Sequence, residues 1–376
     1  MRVLVSGGGT GGHINPALAI AGRIKAQWKD AVIEYVGTEK GLETKLVPKE
    51  GYKIHYVKVE GLKRKLTLKN IIAAYHAVTS VYEAKKIIKN FKPDIVIGTG
   101  GYVCWPVLKA AAGMGIPTFV HESNAIPGVA TKMLSKYVDK ILLNFKESEK
   151  YLADKKEKLV VVGNPIRSEM FTLKGAECRK QLGIAEGEKV VLSYGGSLGA
   201  KVVNETIFEM TEKALLPENV RHIHATGNGY WEAATQRFLP NGFSHSDENT
   251  LVNGKKEIKR YIYNMPTLMA CADVVVCRAG AMTVSEIAAM GKVAVFIPSP
   301  NVTDNHQYKN AKVLKDAGAA ELIEEKDLSA LVLSETVKKY LKDEALCEAT
   351  RKNAKKFADP ECLDKIIAIV KELTSK

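Results

Sequence analysis

Short apolar, β-branched runs alternate with helical stretches along the whole length of this 376-residue chain. Most of these runs end in glycine or a polar turn, and each is followed by a stretch with the character of a helix. Apolar strands separated by helices predict parallel sheets that are covered by helices on both faces. The predicted strands lie within residues 2–7, 32–37, 53–59, 94–101 and 117–122 of the first half and within residues 189–196, 221–227, 273–280 and 292–298 of the second.

These strands are too many for one sheet, so the pattern predicts an α/β protein with two doubly wound domains. The joint is expected near "VVGNPIRSEM", where Gly163, Asn164 and Pro165 interrupt the alternation. We therefore expect one domain over residues 1–163 and another over residues 164–357, with a C-terminal helix of about residues 358–376 packing back on the first. The last helices are predicted near Ser329–Tyr340, Glu344–Lys356 and Leu363–Leu373.

Charge is distributed unevenly between the two halves. The chain carries a net charge of +13, and residues 1–163 hold 26 Lys and Arg against 14 Asp and Glu, whereas the remainder holds 29 against 28. A surplus confined to one half predicts an anionic partner for that half, such as a membrane surface, a nucleic acid or an acidic substrate.

The cysteines and the hydropathy pattern favour a cytosolic protein. The six cysteines form no CxxC pair and have no histidine partners at zinc spacing, so we expect reduced, mostly buried thiols. No apolar run approaches the roughly 20 residues needed to span a bilayer. The first strand begins almost at Met1, which predicts that no signal peptide precedes it.

The candidate chemistry begins in "SGGGTGGHINPALAI", residues 6–20. A strand that ends in glycines and opens a helix presents backbone N–H groups and the positive end of the helix dipole to an anion. Gly7, Gly9 and Gly12 fit the GxGxxG dinucleotide fingerprint, with Glu39 as a candidate ribose-binding acid beyond the second strand. The loop is not a phosphate-binding Walker A motif, because His13 stands where that motif has lysine. Taken alone, the pattern fits either a nucleotide site or tight turns that pack a helix on a strand.

Four further glycine loops, at residues 98–106, 194–201, 225–229 and 277–286, also follow strands and open helices. In doubly wound sheets such loops gather at the carboxyl edge of the strands, where ligands bind. Two facing domains that each carry glycine loops at this edge predict a cleft for two substrates, one with a pyrophosphate and another with polar groups. This arrangement favours group transfer from a nucleotide-activated donor.

Several motifs together resemble one family. "GGTGGHINPALAIA", "GTGGYVCWP", "HESNAIPG", "VGNPIR", "GGSLGA", "ADVVVCRAGAMTVSEIAAMG" and "DNHQYKNAKVLKDAGAA" are similar to the membrane-associated N-acetylglucosaminyltransferases of bacterial peptidoglycan synthesis, in glycosyltransferase family 28. They occur in the family's order over residues 3–320. The resemblance implies the GT-B architecture, with two Rossmann-like domains facing a cleft, the acceptor in the first and the nucleotide sugar in the second.

The same resemblance implies the reaction and its partners. An enzyme of this kind moves GlcNAc from UDP-GlcNAc to the 4-hydroxyl of MurNAc in undecaprenyl-pyrophosphoryl-MurNAc-pentapeptide, with inversion and without a cofactor. It works as a peripheral protein on the cytoplasmic face of the cell membrane. Other cell-wall synthesis proteins are further candidate partners, and no nucleic acid is implied.

His13 stands where the family places its candidate base. The acceptor hydroxyl loses a proton as it attacks the anomeric carbon, and a histidine with a pKa near 6.5 can accept that proton at neutral pH. Thr10, Gly11 and Gly12 are then expected to line the same loop and contact the sugar or the acceptor diphosphate. The alternative is that His13 only caps the helix or contacts phosphate.

Glu286 resembles the acid that accepts both ribose hydroxyls, and the resemblance groups it with His13 among the catalytic residues. The remaining substrate-binding residues that it implies are Asn124, Arg167, Ser197, Ile262, Ala281, Met282, Thr283, Gln307 and Asn310. Two positions depart from the pattern. His306 stands where some relatives have a second glutamine, which leaves one sugar contact open, and Ala279 stands where some have serine.

No metal site is predicted, since the chain has no Asp-x-Asp motif and "HESNA" lacks the second histidine of a zincin. Helix dipoles and Arg167 are therefore expected to stabilise the departing UDP.

A membrane-facing segment is predicted at residues 61–89. Lys63, Arg64, Lys65 and Lys69 precede a helix on which Ile71, Ile72, Tyr75, Val78 and Tyr82 recur at helical spacing, and Lys85, Lys86 and Lys89 follow. Such apolar spacing is typical of a core-facing helix, but part of this face is also suited to anionic lipid headgroups.

Four other classes compete with this assignment, and one of them is a pure binding module that has lost catalysis, against which the presence of His13 and Glu286 argues. Another GT-B lipid glycosyltransferase, such as one acting on diacylglycerol, shares the donor site, and a UDP-GlcNAc epimerase needs no lipid acceptor. An NAD-dependent oxidoreductase would use the Gly7–Gly12 fingerprint, but no hydride-transfer residues accompany it.

Overall fold

The computed structural model describes residues 1–59 and 68–375, and the side chains of residues 68–78 lie outside this description. The described chain forms two compact units. The first comprises Met1–Arg167 together with Asp359–Lys376, and the second comprises Ser168–Ala358.

The first unit is built on a parallel sheet with the strand order β3-β2-β1-β4-β5-β6-β7. Every described pairing between neighbouring strands of this sheet is parallel. The strands are β1 (Arg2–Ser6), β2 (Val32–Gly37), β3 (Lys53–Tyr56), β4 (Ile95–Gly98), β5 (Thr118–Glu122), β6 (Lys140–Leu143) and β7 (Leu159–Val161). The helices are α1 (Gly11–Gln27), α2 (Glu43–Lys49), α3 (Leu68–Phe91), α4 (Cys104–Ala112), α5 (Val129–Leu134) and, from the end of the chain, α15 (Cys362–Thr374), with 3-10 turns at Lys146–Tyr151 and Ala153–Lys158.

Two apolar clusters cover the two faces of this sheet. Alternate residues of β1 divide between them: Val3 and Val5 belong to one cluster and Leu4 to the other. In the first cluster the C-terminal helix α15 packs through residues such as Ile366 and Val370 beside the buried face of α1. This burial holds the end of the chain on the first unit.

The second unit contains a sheet with the order β10-β11-β12-β9-β8-β13-β14-β15. The strands are β8 (Val190–Tyr194), β9 (Arg221–Ala225), β10 (Ser244–Asp247), β11 (Thr250–Asn253), β12 (Lys256–Lys259), β13 (Val274–Cys277), β14 (Val293–Phe296) and β15 (Glu321–Leu322). The helices are α6 (Glu169–Thr172), α7 (Gly175–Gln181), α8 (Lys201–Glu212), α9 (Trp231–Phe238), α10 (Met265–Cys271), α11 (Ala281–Met290), α12 (His306–Asp316), α13 (Ala330–Lys342) and α14 (Glu344–Lys355), with 3-10 turns at Asn228–Tyr230, Leu239–Asn241, Thr303–Asn305 and Glu325–Asp327.

The expectation of purely parallel sheets is wrong at one edge of the second unit. Strands β10 and β11 pair antiparallel, as do β11 and β12, whereas β12 joins β9 in parallel. Gly254 and Lys255 form the two-residue turn between β11 and β12, and Gly254 adopts φ +57, the left-handed geometry that such a tight hairpin requires. All four residues of β10 are exposed, so no apolar run marked this strand in the sequence.

Part of the predicted membrane segment lies outside the described residues. This holds for Lys63, Arg64 and Lys65 and for the side chains of Lys69, Ile71, Ile72, Tyr75 and Val78. Further along α3, Ala84, Ile88 and Phe91 are buried, whereas Tyr82 is 78% exposed. Within the described residues, no helix combines the length and the apolar character that crossing a membrane requires.

All six cysteines are buried and carry free thiols. Burial raises the pKa of several of them, for instance to about 11 for Cys104. They are therefore protonated, apolar fillers of the interior at neutral pH.

Candidate active-site loops

The loop between β1 and α1 places His13 in the first turn of the helix. The Nδ1 atom of His13 lies 3.1 Å from the carbonyl oxygen of Thr99, and the Thr99 hydroxyl donates to the His13 carbonyl at 2.6 Å. Because a carbonyl only accepts, Nδ1 carries the hydrogen, and Nε2 is the ring nitrogen that can accept a proton. A Cβ at Gly100 would lie 2.5 Å from Nδ1, so the imidazole rests against glycine backbone.

The loop after β4 supports the loop after β1 along its backbone. The Thr99 amide donates to the Ser6 carbonyl at 3.0 Å, and the Cys104 thiol approaches the same oxygen at 3.0 Å. Gly101, with φ +83, is so close to the Gly8 backbone that a side chain at Gly101 would clash with it. Two of the glycine motifs found in the sequence thus form one assembly around His13.

Asn124 follows β5 and is held by its neighbour Glu122. The Glu122 side chain accepts from the backbone and side-chain nitrogens of Asn124, both at 3.0 Å. It also accepts from Gly128 N at 2.9 Å and from the Thr131 hydroxyl at 2.6 Å. This buried carboxylate, to which no sequence motif assigned a role, therefore fixes the turn that carries Asn124.

In the second unit, the loops after β8 and β9 pack against each other through glycines. Gly199 and Gly227 both have positive φ, and side chains at either position would run into the other loop. The exposed residues Ser197 and Leu198 lie at the tip of the first loop, immediately before α8. Backbone packing thus presents Ser197 at the carboxyl end of the sheet.

A chain of buried polar side chains lies behind these two loops. Ser193 Oγ is 2.9 Å from both His222 Nε2 and His224 Nδ1. His224 Nε2 is 3.1 Å from Asn204 Oδ1, and Asn204 Nδ2 donates to the Thr226 carbonyl at 2.9 Å.

The donors of this chain can be assigned from its last link. Since Asn204 uses its nitrogen on the Thr226 carbonyl, its oxygen accepts from His224 Nε2–H, and His224 Nδ1 then accepts from the Ser193 hydroxyl. Ser193 in turn accepts from His222. Burial lowers the pKa of His222 to about 4 and that of His224 to about 3, so both rings are neutral at pH 7. In each hydrogen bond of this series, the donor therefore lies on the side of His222 and the acceptor on the side of Thr226.

The helix α11 begins after Gly280, and its first turn contains Ala281, Met282 and Thr283. Glu286 follows one turn later and is half-buried. Burial, with a smaller contribution from the Glu286 carboxylate, raises the pKa of Cys277 to about 12. The same two causes raise the pKa of Tyr194 above its usual range, with a neighbouring thiol contributing. Glu286 therefore stands beside the ends of β13 and β8, at the loop edge of the sheet.

The predicted sugar-binding residues of α12 make contacts inside the protein. Gln307 Oε1 accepts from the Ser299 amide at 2.9 Å. Asn310 is fully buried, and its Nδ2 lies 3.4 Å from the Ala279 carbonyl. His306 Nδ1 is 2.8 Å from the Thr303 carbonyl. The side chains of Gln307 and Asn310 thus tie the start of α12 to the loops after β14 and β13.

Ile262 and Arg167 occupy different units. Ile262 follows β12, and its side chain is buried, with 5% of the residue exposed. Arg167 is exposed and is the last residue of the first unit before the second begins.

The acid predicted beyond β2 is not the one that reaches the glycine loop. Glu39 is exposed, whereas Glu43, at the start of α2, is fully buried and accepts from the amide of Gly9 at 3.2 Å. In a dinucleotide site an acid at this place binds the ribose of the ligand. Here the Glu43 carboxylate binds the amide of Gly9 in the glycine loop instead. No group of three or more His, Cys, Asp or Glu side chains suited to a metal ion occurs among the described residues.

The chain matches known families over most of its length. The profile of the glycosyltransferase family 28 N-terminal domain matches residues 3–143, and that of the family 28 C-terminal domain matches residues 190–365. A curated protein of Acetivibrio thermocellus, named UDP-N-acetylglucosamine--N-acetylmuramyl-(pentapeptide) pyrophosphoryl-undecaprenol N-acetylglucosamine transferase, is 44% identical over 99% of this chain and 98% of its own. Its namesake from Bacillus cytotoxicus is 40% identical over 100% of both chains.

Solved structures agree with this relationship. The crystal structure of Acinetobacter baumannii MurG is 27% identical, covers 99% of both chains and superposes with a TM-score of 0.77. The UDP complex of S. aureus MnaA, at 16% identity and a TM-score of 0.69 over 99% of this chain and 96% of that one, shares the fold. The predicted α/β class with two Rossmann-like units is confirmed. The chain belongs to glycosyltransferase family 28.

Proposed function

We propose that this enzyme transfers GlcNAc from UDP-GlcNAc to the 4-hydroxyl of MurNAc in undecaprenyl-pyrophosphoryl-MurNAc-pentapeptide. The observation that carries the proposal is the match, at 40–44% identity and nearly full length, to transferases named for this donor and this acceptor. The hydrogen bonding of His13 supplies the chemistry that such a transfer needs, because it leaves Nε2 as the proton acceptor.

In the proposed step, the oxygen of the acceptor hydroxyl attacks the anomeric carbon of GlcNAc. The hydroxyl proton passes to His13 Nε2, and the bond between the anomeric carbon and the diphosphate oxygen breaks, with its electron pair leaving on UDP. Attack opposite the leaving group turns the α-linked donor into a β-linked product. Thr10 and the amides of Gly11 and Gly12, in the first turn of α1, contact the sugar or the acceptor diphosphate.

We assign the donor to the second unit. Glu286 accepts the ribose hydroxyls, the backbone of Ile262 pairs with the uracil, and Ser197 binds the diphosphate. Further proposed contacts come from the amides of Ala281, Met282 and Thr283 at the start of α11, from Gln307 and Asn310 for the sugar, and from Arg167 and Asn124 of the first unit. Arg167 suits the charge that develops on departing UDP, since a guanidinium binds phosphate through two parallel donors.

Asn310 needs a specific account in this scheme. Its side chain is fully buried against the Ala279 carbonyl, so we propose that it acts on the sugar by shaping the loop before α11 or after a local movement of α12. Gln307 is half-buried, and its oxygen accepts from the Ser299 amide, so we assign its side-chain nitrogen as the donor to a sugar hydroxyl.

We further propose that the protein works at the cytoplasmic face of the cell membrane as a peripheral protein. The support is the charge surplus of residues 1–163, where 26 basic residues face 14 acidic ones. A basic surface of this kind is attracted to anionic lipids, where the undecaprenyl acceptor resides.

The decisive experiment incubates the purified protein with radiolabelled UDP-GlcNAc and the lipid acceptor in detergent micelles. Formation of a β-1,4-linked GlcNAc–MurNAc lipid, with stoichiometric release of UDP, is expected. Conversion of UDP-GlcNAc to its 2-epimer without an acceptor, or transfer to diacylglycerol instead of the MurNAc lipid, would contradict the proposal and identify one of the competing activities.

A further inference from the structure

A buried carboxylate lies directly behind the loop that carries His13. Glu43 is the first residue of α2 and is 0% exposed. Its Oε1 accepts from the amide and the hydroxyl of Thr38, at 3.0 and 2.8 Å, and its Oε2 accepts from the amide of Gly9 at 3.2 Å. One side chain therefore joins the turn after β2 to the loop after β1.

Three glycines make room for this carboxylate. A Cβ at Gly8 would lie 2.7 Å from Glu43 Oε1, one at Gly37 would lie 2.6 Å from its Cγ, and one at Gly41 would overlap the carboxylate itself. The end of β2, the turn that follows it and the His13 loop thus lack side chains at the points where they surround Glu43. Because an unpaired buried carboxylate is costly, its three donors hold these segments in one arrangement.

The loop is tethered on both sides of Gly8. The Tyr35 hydroxyl donates to the Gly7 carbonyl at 2.7 Å, and Glu43 accepts from the Gly9 amide. Gly9 has φ +85, a conformation that glycine adopts readily. Because glycine can also adopt many other conformations, a hydrogen bond to its amide is needed to hold this one. The next residue is Thr10, whose carbonyl accepts from the amide of His13 at 3.0 Å.

We propose that Glu43 is a positioning residue for glycosyl transfer: by binding the Gly9 amide it fixes the start of α1 and thereby the place of His13 Nε2. The proposal rests on the function proposed above. The loop after β4 holds the imidazole from one side through Thr99, and Glu43 holds the backbone that leads to it. A displacement of about 1 Å at a reacting group can lower a rate by about 100-fold, so a loosened loop acts on turnover.

Two matched substitutions separate this role from a structural one. In Glu43→Gln the amide oxygen still accepts from Thr38, but the side-chain NH2 group meets the Gly9 N–H, and two donors cannot bond. In Thr38→Val one hydrogen bond to the same carboxylate is lost, but the Gly9 contact remains. Gly9→Ala strains the backbone around the same amide, because a side chain disfavours φ +85. The new Cβ does not touch Glu43, since its nearest neighbour would be Tyr102 Cε1 at 3.6 Å.

We expect Glu43→Gln and Gly9→Ala to lower kcat by about tenfold or more and Thr38→Val to leave it within about twofold, each measured well below its own melting temperature. The KM of the pyrophosphoryl acceptor is not expected to rise in Glu43→Gln, because the substitution removes a negative charge from behind an anion-binding loop. UDP affinity is expected to stay unchanged in all three variants.

Equal kcat in Glu43→Gln and Thr38→Val would overturn the positioning role, as would losses that follow the folded fraction alone. If Glu43→Gln does not fold, a kcat of Gly9→Ala within about twofold of the wild type overturns it instead. Failure of the wild-type protein to form the disaccharide would contradict the proposed function. The positioning role fails in a different way, since it is tested by comparing variants of a protein that does form the disaccharide.

Discussion

The two units support their glycine loops with buried polar groups of opposite kinds. Behind the loop after β1, the carboxylate of Glu43 accepts hydrogen bonds and draws the Gly9 amide inward. Behind the loops after β8 and β9, the neutral chain from His222 to Asn204 donates its last hydrogen bond and draws the Thr226 carbonyl inward. Both sheets are of the same α/β kind, so the difference lies in these buried side chains.

This difference matches the ligands that we assign to the two units. In the second unit the buried side chains bind the carbonyl of Thr226 and not an amide of the loop. The loop amides can then serve an anion, which suits a nucleotide diphosphate. A loop whose amide is drawn inward loses one anion donor but gains a fixed backbone, which suits a loop that holds a base. In this assignment the loops after β8 and β9 keep their amides for the donor diphosphate, whereas the loop after β1 holds His13 in place and binds the acceptor through the later amides of Gly11 and Gly12.

The largest effect is expected at the base. His13→Ala removes the proposed proton acceptor, so turnover should fall by about 10²–10⁴-fold while UDP affinity stays almost unchanged. His245→Ala, in the exposed strand β10, is the matched control and should keep wild-type turnover. Single-turnover kinetics and calorimetric titration with UDP measure the two quantities. Near-normal turnover of His13→Ala would exclude it as the base, and a large loss of UDP binding would assign it to the donor.

The next effect concerns the charge difference between the units. Lys63, Arg64 and Lys65, replaced together by glutamine, should weaken binding to anionic vesicles by about 100-fold, given about 1 kcal/mol for each basic residue near the surface. Binding of the wild type should also fall steeply with salt, since the screening length is about 8 Å at physiological ionic strength.

The control for this prediction removes the same charge from the second unit. Lys312, Lys326 and Lys352 are exposed there, and their replacement by glutamine should leave vesicle binding nearly unchanged. Vesicle co-sedimentation at two salt concentrations is the measurement. Equal binding to neutral and anionic vesicles would contradict the electrostatic basis of attachment.

A smaller effect is expected at the donor. Glu286→Gln should weaken UDP-GlcNAc binding by about tenfold to 100-fold, since hydrogen bonds to a charged acceptor contribute about 1.5–3 kcal/mol. The 2′-deoxy donor should bind the wild type poorly, and its penalty should nearly vanish in the variant because both changes delete the same contact. Calorimetry of both proteins with both donors tests this. Fully additive losses would leave Glu286 with a structural role at the start of α11.

The sequence predicted the parts of the fold that carry a strong apolar period. The β1 strand and the loop that follows it, the helix predicted at Ser329–Tyr340 and found at Ala330–Lys342, and the buried cysteines all follow from local patterns. The hairpin strands β10–β12 were missed because they are short and mostly polar, with Leu251, Val252 and Ile258 as their apolar residues. Their place in the sheet is set by the pairing of β12 with β9, which no local pattern records.

The sequence motifs indicate the loops of the candidate site but not the buried side chains behind them. They single out His13 and Glu286, whose roles stay predictions, and they give Glu39 as the acid beyond β2, whereas the carboxylate that contacts the glycine loop is that of Glu43. Spacing cannot distinguish the two, because the choice depends on the path of the turn between β2 and α2. His222 and His224 did leave a signal, since residues two apart share one face of a strand and histidine is unusual in a buried one.

The smallest effect is a pH dependence of the second unit. His222 and His224 have pKa values of about 4 and 3 in the folded protein, against about 6.5 when unfolded. Between pH 6.5 and 4 the unfolded chain therefore binds more protons than the folded one, so stability falls as the pH falls. From pH 7 to pH 5.5 each histidine should lower the free energy of unfolding by about 1.2 kcal/mol.

His222→Gln tests this while keeping a donor for Ser193, since a glutamine side-chain nitrogen can replace His222 Nε2–H. Amide hydrogen exchange in β8 and β9 reports the second unit by itself, which avoids assuming that both units unfold together. The variant should lose about 1.2 kcal/mol less stability than the wild type between pH 7 and pH 5.5, because one of the two titrating groups is gone. Other buried histidines, such as His121 in the first unit, titrate equally in both proteins and cancel in the comparison. An identical pH dependence would mean that the imidazole of His222 is not kept neutral by the fold, and the directed chain towards Thr226 would lose its first link.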